Sequence, residues 1–436
     1  MAFPDDSGSS RTTLSNILKT VYHTDRMYRA FNRKRVLFNL LKRKTQHVVE
    51  GGSFKIPVHT GGSNAGAHVA EGGTVPTPQA QTTSWLNFTT GGAMKTYLRP
   101  IKLSGEIIEG TQTTKAAVVK AADFAAKCAV QDALDDFNLS MFTPMSGLLT
   151  VCQEAAAQTV DVENPRRIKV GMTLSIGLIS NDDAYDPGYD GVLVTGISGN
   201  TVTFSGGPCA THASIVPADS YGNSLYGVYL SSANVADTDD SQEVYGLEDI
   251  VNNVDPIGSG DVNYAGISRG TVESPTAGTE WGRGQVLDAK GQPVSDELGA
   301  EAADLVESNS NGETKCWITT PEILREIIKI SVGDKRAGMK EKVGDGWFRT
   351  ARLANLPVYA DKHAPARAII GLDLDNIWIA ENKALGWETR DGSMWHRLET
   401  VWAYQALMTR MWQIVAMPNC HVQIKNVYQP PIVRPA

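Results

Sequence analysis

The chain has 436 residues, 42% of them hydrophobic and 20% charged, with a net charge of -8 at pH 7. That length calls for more than one packed unit, and that apolar share excludes an intrinsically disordered chain. The acidic balance excludes a surface that grips nucleic acid everywhere, and no run approaches the roughly 18 apolar residues of a membrane span.

The opening residues 1–10 carry Asp5 and Asp6 and no apolar core, unlike a signal peptide. Cys128, Cys152, Cys209, Cys316 and Cys420 are odd in number and form no CxxC pair. Free thiols in a reducing compartment follow, so synthesis in a cytoplasm is expected.

Leu14, Ile17, Leu18, Val21 and Tyr22 recur at helical spacing and predict an amphipathic helix from about residue 10 or 12. A basic arm surrounds it. Arg11, Lys19, Arg26, Arg29, Arg33, Lys34, Arg35, Lys42, Arg43 and Lys44 are opposed only by Asp25. Such a run is either a solvated helix surface or a face for an acidic partner, a neighbouring subunit or nucleic acid.

Residues 48–110 form a glycine-rich excursion. Phe54, Ile56 and Val58 alternate as in a strand, residues 60–78 read as a loop, and Trp85, Asn87 and Thr89 alternate again. A further strand follows Gly91-Gly92 through AMKTYLRPIKLS. Together these predict a long two-stranded ribbon with a flexible tip. A lone ribbon is marginal in water, so it must lie on its own body or on another chain.

Residues 111–140 give the clearest helix. It is alanine-rich, without Gly or Pro, and Thr111 or Thr113 can cap it. About 28 residues would span about 42 Å. From about residue 161 the sequence changes to short strands, RIKVGMTLSIGL, GVLVTGISG and NTVTF, with a hairpin turn at Ser198-Gly199-Asn200. Aspartates at 182, 183, 186, 190, 219, 237, 239 and 240 make this stretch acidic. It reads as an inserted small all-β domain, residues 154–240.

From Tyr245 onward the pattern is mixed. Helices are expected at GLEDIVNN, at residues 295–307 and from Pro321 to about Ile330. Short strands are expected at KCWIT, LPVYA, RAIIGL, NIWIAE, LGWET, LMTRMWQIVAMP and HVQIKNV, with hydrophobic runs buried on both faces.

Chemistry-bearing motifs are weak. Asp373-Leu374-Asp375 has the form of a metal-binding DxD, but a capped turn between two strands fits better. There is no GxGxxG after a strand, no GxxxxGK[ST], no HExxH and no GxSxG. The eight histidines show no ligand spacing. Cys316 lies in a strand and reads as core packing. Glu71 at the ribbon tip reads better as a contact to a neighbouring chain than as a catalytic carboxylate. No catalytic, cofactor or metal residue is assigned.

The order of elements nevertheless resembles the tailed-phage major capsid proteins, an α+β class with the Hong-Kong-97-type fold. The stretch AHVAEGGTVPTPQAQTTSWLNFTTGGAMKTYLRPIKLSGEIIEGTQ looks like that family's extended loop leading into its spine helix. WITTPEILREI with ANLPVYADKHAPARAIIGLDLDNIWIAE looks like its axial domain, and ALMTRMWQIVAMPNCHVQIKNV like the strands returning beside the spine helix. The implied domains are an N-terminal arm at 1–47, an extended ribbon loop at 48–110, a peripheral domain at 111–153 and 406–430, and an axial domain at 241–405.

The resemblance implies a shell of hexamers and pentamers enclosing double-stranded DNA. Glycine pairs 61–62, 72–73 and 91–92 would let the ribbon flex between the two rings. Its tip (His68, Glu71, Gly72, Gly73, Thr74 and Pro76) would touch the neighbouring subunit. The basic residues Arg29, Arg33, Lys34, Arg35, Lys42, Arg43 and Lys44 would face DNA or a subunit. A separate scaffolding protein, a portal and decoration proteins are expected partners; no cofactor and no membrane are. The expected location is the virion, after synthesis in the host cytoplasm. Three rivals stand beside it: an encapsulin-type nanocompartment shell, a cytosolic α/β enzyme with a β lid domain, and a phage tail or adhesion protein.

Overall fold

The computed structural model describes residues 35–430 apart from 46–51, 62–67, 69–73, 75–81, 90–92, 105–114, 146, 157, 179–190, 206–225, 231–242, 252–263, 268, 270–279, 334–339, 344–345, 350, 390–393 and 399–400. The helix expected near residues 10–22 therefore lies outside the described residues, as do Arg29, Arg33, Lys34, Glu71, Gly72, Gly73 and Pro76.

The chain enters through a short helix α1 (Val36–Leu40) and an edge strand β1 (Lys42–Thr45). The ribbon follows: β2 (Phe54–Gly61) pairs antiparallel with β3 (Thr82–Phe88), Phe54 opposite Phe88. The next strand, β4 (Lys95–Ser104), does not continue it. Its alternating side chains place Tyr97 against Phe137 of the long helix, and it belongs to a body sheet. The long helix α2 (Lys115–Ser140) has 26 residues.

Six strands then close into a barrel: β5 (Leu148–Ala156), β6 (Thr159–Val162), β7 (Thr173–Leu178), β8 (Val192–Ser198), β9 (Thr201–Phe204) and β10 (Tyr226–Leu230). β8 and β9 meet at the expected hairpin turn, which Gly199 and Asn200 form, with Gly199 at φ +60. The barrel starts at Leu148, ahead of residue 154. RIKV before β7 is no strand, because Pro165–Arg167 forms a 3-10 turn instead. Val160, Val194, Val202 and Phe204 fill the interior, together with Leu139 from α2.

The remaining elements are α3 (Leu247–Val251), β11 (Gln285–Asp288), α4 (Asp296–Asn309), β12 (Cys316–Thr319), α5 (Pro321–Gly333), the hairpin β13 (Lys340–Val343) and β14 (Gly346–Arg349), β15 (Ala351–Leu353), β16 (Leu356–Ala360), β17 (Ile369–Leu372), β18 (Ile377–Trp387), β19 (His396–Arg397), β20 (Ala403–Ala416) and β21 (Val422–Lys425). A six-stranded mixed sheet runs β11-β21-β17-β12-β16-β15. Its alternating side chains explain its apolar runs. Trp317, Ile369, Val422 and Ile424 pack with α4 and α5, while Cys316, Ile318, Ile370 and Leu372 join the main core.

The second sheet is built on β20. β18 lines one side of it, β4 the other, and β1 runs parallel to β18. So β18, within 241–405, sits in the sheet beside α2, and β21, within 406–430, sits in the six-stranded sheet. Pairing partners far along the chain decide this, and strand patterns do not carry them. Arg410 on β20 shows how tightly α1, α2 and β20 meet. It is 1% exposed and stacks on Phe38, Phe137 and Trp412 at 5.4, 4.5 and 4.7 Å while pairing with Glu381.

Candidate assembly surfaces

The ribbon has a seated root and an open face. Phe54 and Phe88 stack at 4.5 Å on its inner side, and Leu86 and Phe88 are fully buried. Phe88 meets Tyr245 and Tyr264 edge-on at 6.1 and 6.0 Å. Those tyrosines are themselves held. The Tyr264 hydroxyl accepts from Ala416 N at 3.0 Å, and Tyr245 N donates to Gln413 Oε1 at 2.9 Å. A tight turn at Ala265-Gly266, φ 49 and 76, presents the Ala265 carbonyl to Asn87 N at 2.7 Å. At φ +76 a side chain at Gly266 would be strained and would stand a tight 3.2 Å from Asn87 Cβ, which favours glycine there. On the outer face Trp85, 53% exposed, sits opposite Pro57, with Lys55 and His59 exposed beside them. Of the six ribbon-tip residues, His68 and Thr74 are described, and both are exposed.

The basic arm divides. Lys42, Arg43 and Lys44 are exposed along β1. Each also touches its own chain: Lys42 pairs with Asp375 at 2.8 Å, Arg43 lies over Phe38 at 4.4 Å, and Lys44 lies over Trp378 at 3.8 Å. Arg35 is different. Its guanidinium donates to Asp135 at 2.8 Å and to the Gln131 carbonyl at 2.8 Å, and it is 12% exposed. These contacts tie Arg35 to α2 of its own chain.

No protein-family model and no curated protein sequence matches the chain. Solved structures do. A chain of the cyanophage A-1(L) capsid asymmetric unit aligns at TM-score 0.55 and 12% identity, over 95% of this chain and 98% of that one. The fold is that of a phage capsid protein. The capsid of an empty GTA particle aligns at 0.48 and 10% identity over 96% and 99%, and the SrpI encapsulin of Synechococcus elongatus at 0.44 and 9% over 98% and 96%.

Among the described residues, the Asp373-Leu374-Asp375 motif is built into a turn. Asp373 is a turn cap: it accepts from Asp375 N at 3.0 Å, Asn376 Nδ2 at 2.7 Å and Glu313 N at 3.3 Å. Lys315 and Lys42 hold the exposed Asp375 down at about 2. Among the described residues no His, Cys, Asp and Glu group could hold a metal ion. Cys316 lies in β12, 1% exposed.

One buried polar junction was not visible in the sequence. Asp361 accepts from Val36 N at 3.2 Å, His363 N at 2.9 Å and Asn138 Nδ2 at 3.0 Å. It ties α1, α2 and the turn after β16 together. Burial raises the Asp361 carboxyl and pushes His363 well below its usual range. Residues 36, 138, 361 and 363 are too far apart in sequence to form a motif.

Proposed function

We propose that the chain is a major capsid protein whose copies assemble into an icosahedral head enclosing double-stranded DNA. The observation that carries this reading is the end-to-end agreement with a capsid chain, 95% of one and 98% of the other. Fold alone does not fix function. The ribbon adds a reason of its own: its root is buried in the body while Trp85 and Pro57 face outward as an aromatic and rigid pair.

In this reading subunits form hexamers and pentamers, and the tip residues His68, Glu71, Gly72, Gly73, Thr74 and Pro76 lie on the neighbouring subunit. The exposed Lys42, Arg43 and Lys44 face the packaged DNA, with Arg29, Arg33 and Lys34 preceding them in the arm. A scaffolding protein guides assembly, a portal occupies one vertex, and decoration proteins can bind outside. The role is structural, the location is the virion, and synthesis is in the host cytoplasm.

Electron microscopy and light scattering of the purified chain test this. Closed particles of uniform size are expected, alone or with the scaffold. A monomer that persists across salt, pH and concentration would overturn the proposal.

A further inference from the structure

Between β6 and β7 the barrel meets the body through a short segment, residues 163–169 (ENPRRIK). Asn164 begins it. Its side chain accepts from Arg166 N at 3.2 Å and donates to the Ala364 carbonyl at 3.1 Å. The 3-10 turn that follows fixes the directions of two adjacent arginines.

Arg166 forms a two-pronged pair with Glu322 at 2.7 and 2.5 Å, and the Glu322 side chain is fully buried in the first turn of α5. Arg167 is also buried. It donates to the Leu149 carbonyl of β5, the His363 carbonyl after β16, and Glu248 of α3, at 3.0, 2.9 and 2.5 Å. Lys169 reaches Asp136 of α2 at 3.1 Å. From the other direction, Leu139 of α2 enters the barrel's own core.

A tethered insertion needs no such joint. Buried, charge-assisted pairs with two-pronged geometry hold one orientation, because any other leaves a desolvated charge unpaired. We infer that segment 163–169 keys the barrel into the body, so that the barrel is a rigid brace fixing α2 relative to α5 and not a pendant domain. The inference concerns the single chain and goes beyond the shell reading.

Unassembled subunits give the test, separately from particle formation. In differential scanning calorimetry the wild-type chain is expected to melt in one transition, barrel and body together. The variant Arg166→Gln, Lys169→Gln, Glu322→Gln removes two of the joint's three ion pairs, leaving Arg167 with Glu248, without stranding a buried charge. It should melt in two transitions, and amide exchange in the barrel should rise about tenfold or more relative to α5. The milder Arg166→Lys keeps the charge but loses the fork, and it should show a smaller rise even if the triple variant does not fold. Separate barrel and body transitions in the wild type would overturn the inference. So would unchanged barrel exchange in both variants.

Discussion

His421 is fully buried and Asp249 nearly so, and burial drives them in opposite directions. It lowers His421 from 6.5 to about 4 and raises Asp249 from 3.8 to about 7. His421 Nδ1 accepts from Asp373 N, so a second proton there would cost that bond and leave a charge in a buried site. Its stabilising effect is complete above pH 6.5 and is lost as pH falls through about 4, worth about 3 kcal/mol. Asp249 has the reverse sign. The folded state binds its proton more tightly, so that contribution is complete below pH 3.8 and is lost as pH rises through about 7, worth about 4 kcal/mol. Urea unfolding across pH 4–8 separates the two. His421→Asn should flatten the loss of stability on the acid side. Asp249→Asn keeps an acceptor for Met145 N and Gly246 N, so it should match or exceed the wild type at pH 8 and lose its advantage near pH 4. Profiles parallel to the wild type in both variants would show that neither group titrates as its burial requires. Neither residue was legible in the sequence: a lone His after a Cys and an Asp in a short helix carry no pattern until the fold surrounds them.

At the scale of elements, strands and helices were legible where side-chain periodicity was strong. The alternation of Phe54, Ile56 and Val58 gave β2, and the turn at Asp373 was visible from its position between two apolar strands. β4 was not legible as a body strand. Its sequence reads the same whether it extends the ribbon or pairs with β20, and the partner, about 300 residues away, decides. The observed split makes the ribbon's two faces separable by mutation. Phe88→Ala removes a fully buried ring from the root and should cost about 3–5 kcal/mol in subunit stability. Trp85→Ala removes an exposed ring and should change subunit stability by less than about 0.5 kcal/mol. On the shell reading, the same Trp85→Ala should delay or abolish particle formation as followed by light scattering. Particle yield equal to the wild type would mean that the outer face is not an intersubunit contact.

For the whole molecule, reading residues 154–240 as an inserted domain places the cuts for its removal at those bounds. The strand pairing moves the natural cut. Leu230 N donates to the Gly147 carbonyl at 3.1 Å, so the barrel enters and leaves at one point and a short glycine link can replace residues 148–230. Geometry therefore favours excision, while energetics oppose it. Without the barrel, Leu139 loses the apolar cluster it packs in, and among the described residues the buried Glu322 keeps only Arg325, which is 63% exposed, as an ion-pair partner. Together these should lower the stability of the shortened chain by about 4–6 kcal/mol. Glu322→Gln then changes sign with context. In the full chain it breaks a buried two-pronged pair and destabilises; in the shortened chain it removes a stranded charge and should restore about 2 kcal/mol or more. Urea unfolding of the four proteins completes a double-mutant cycle. A cycle with no coupling would mean that the barrel and α5 are energetically independent despite their contact.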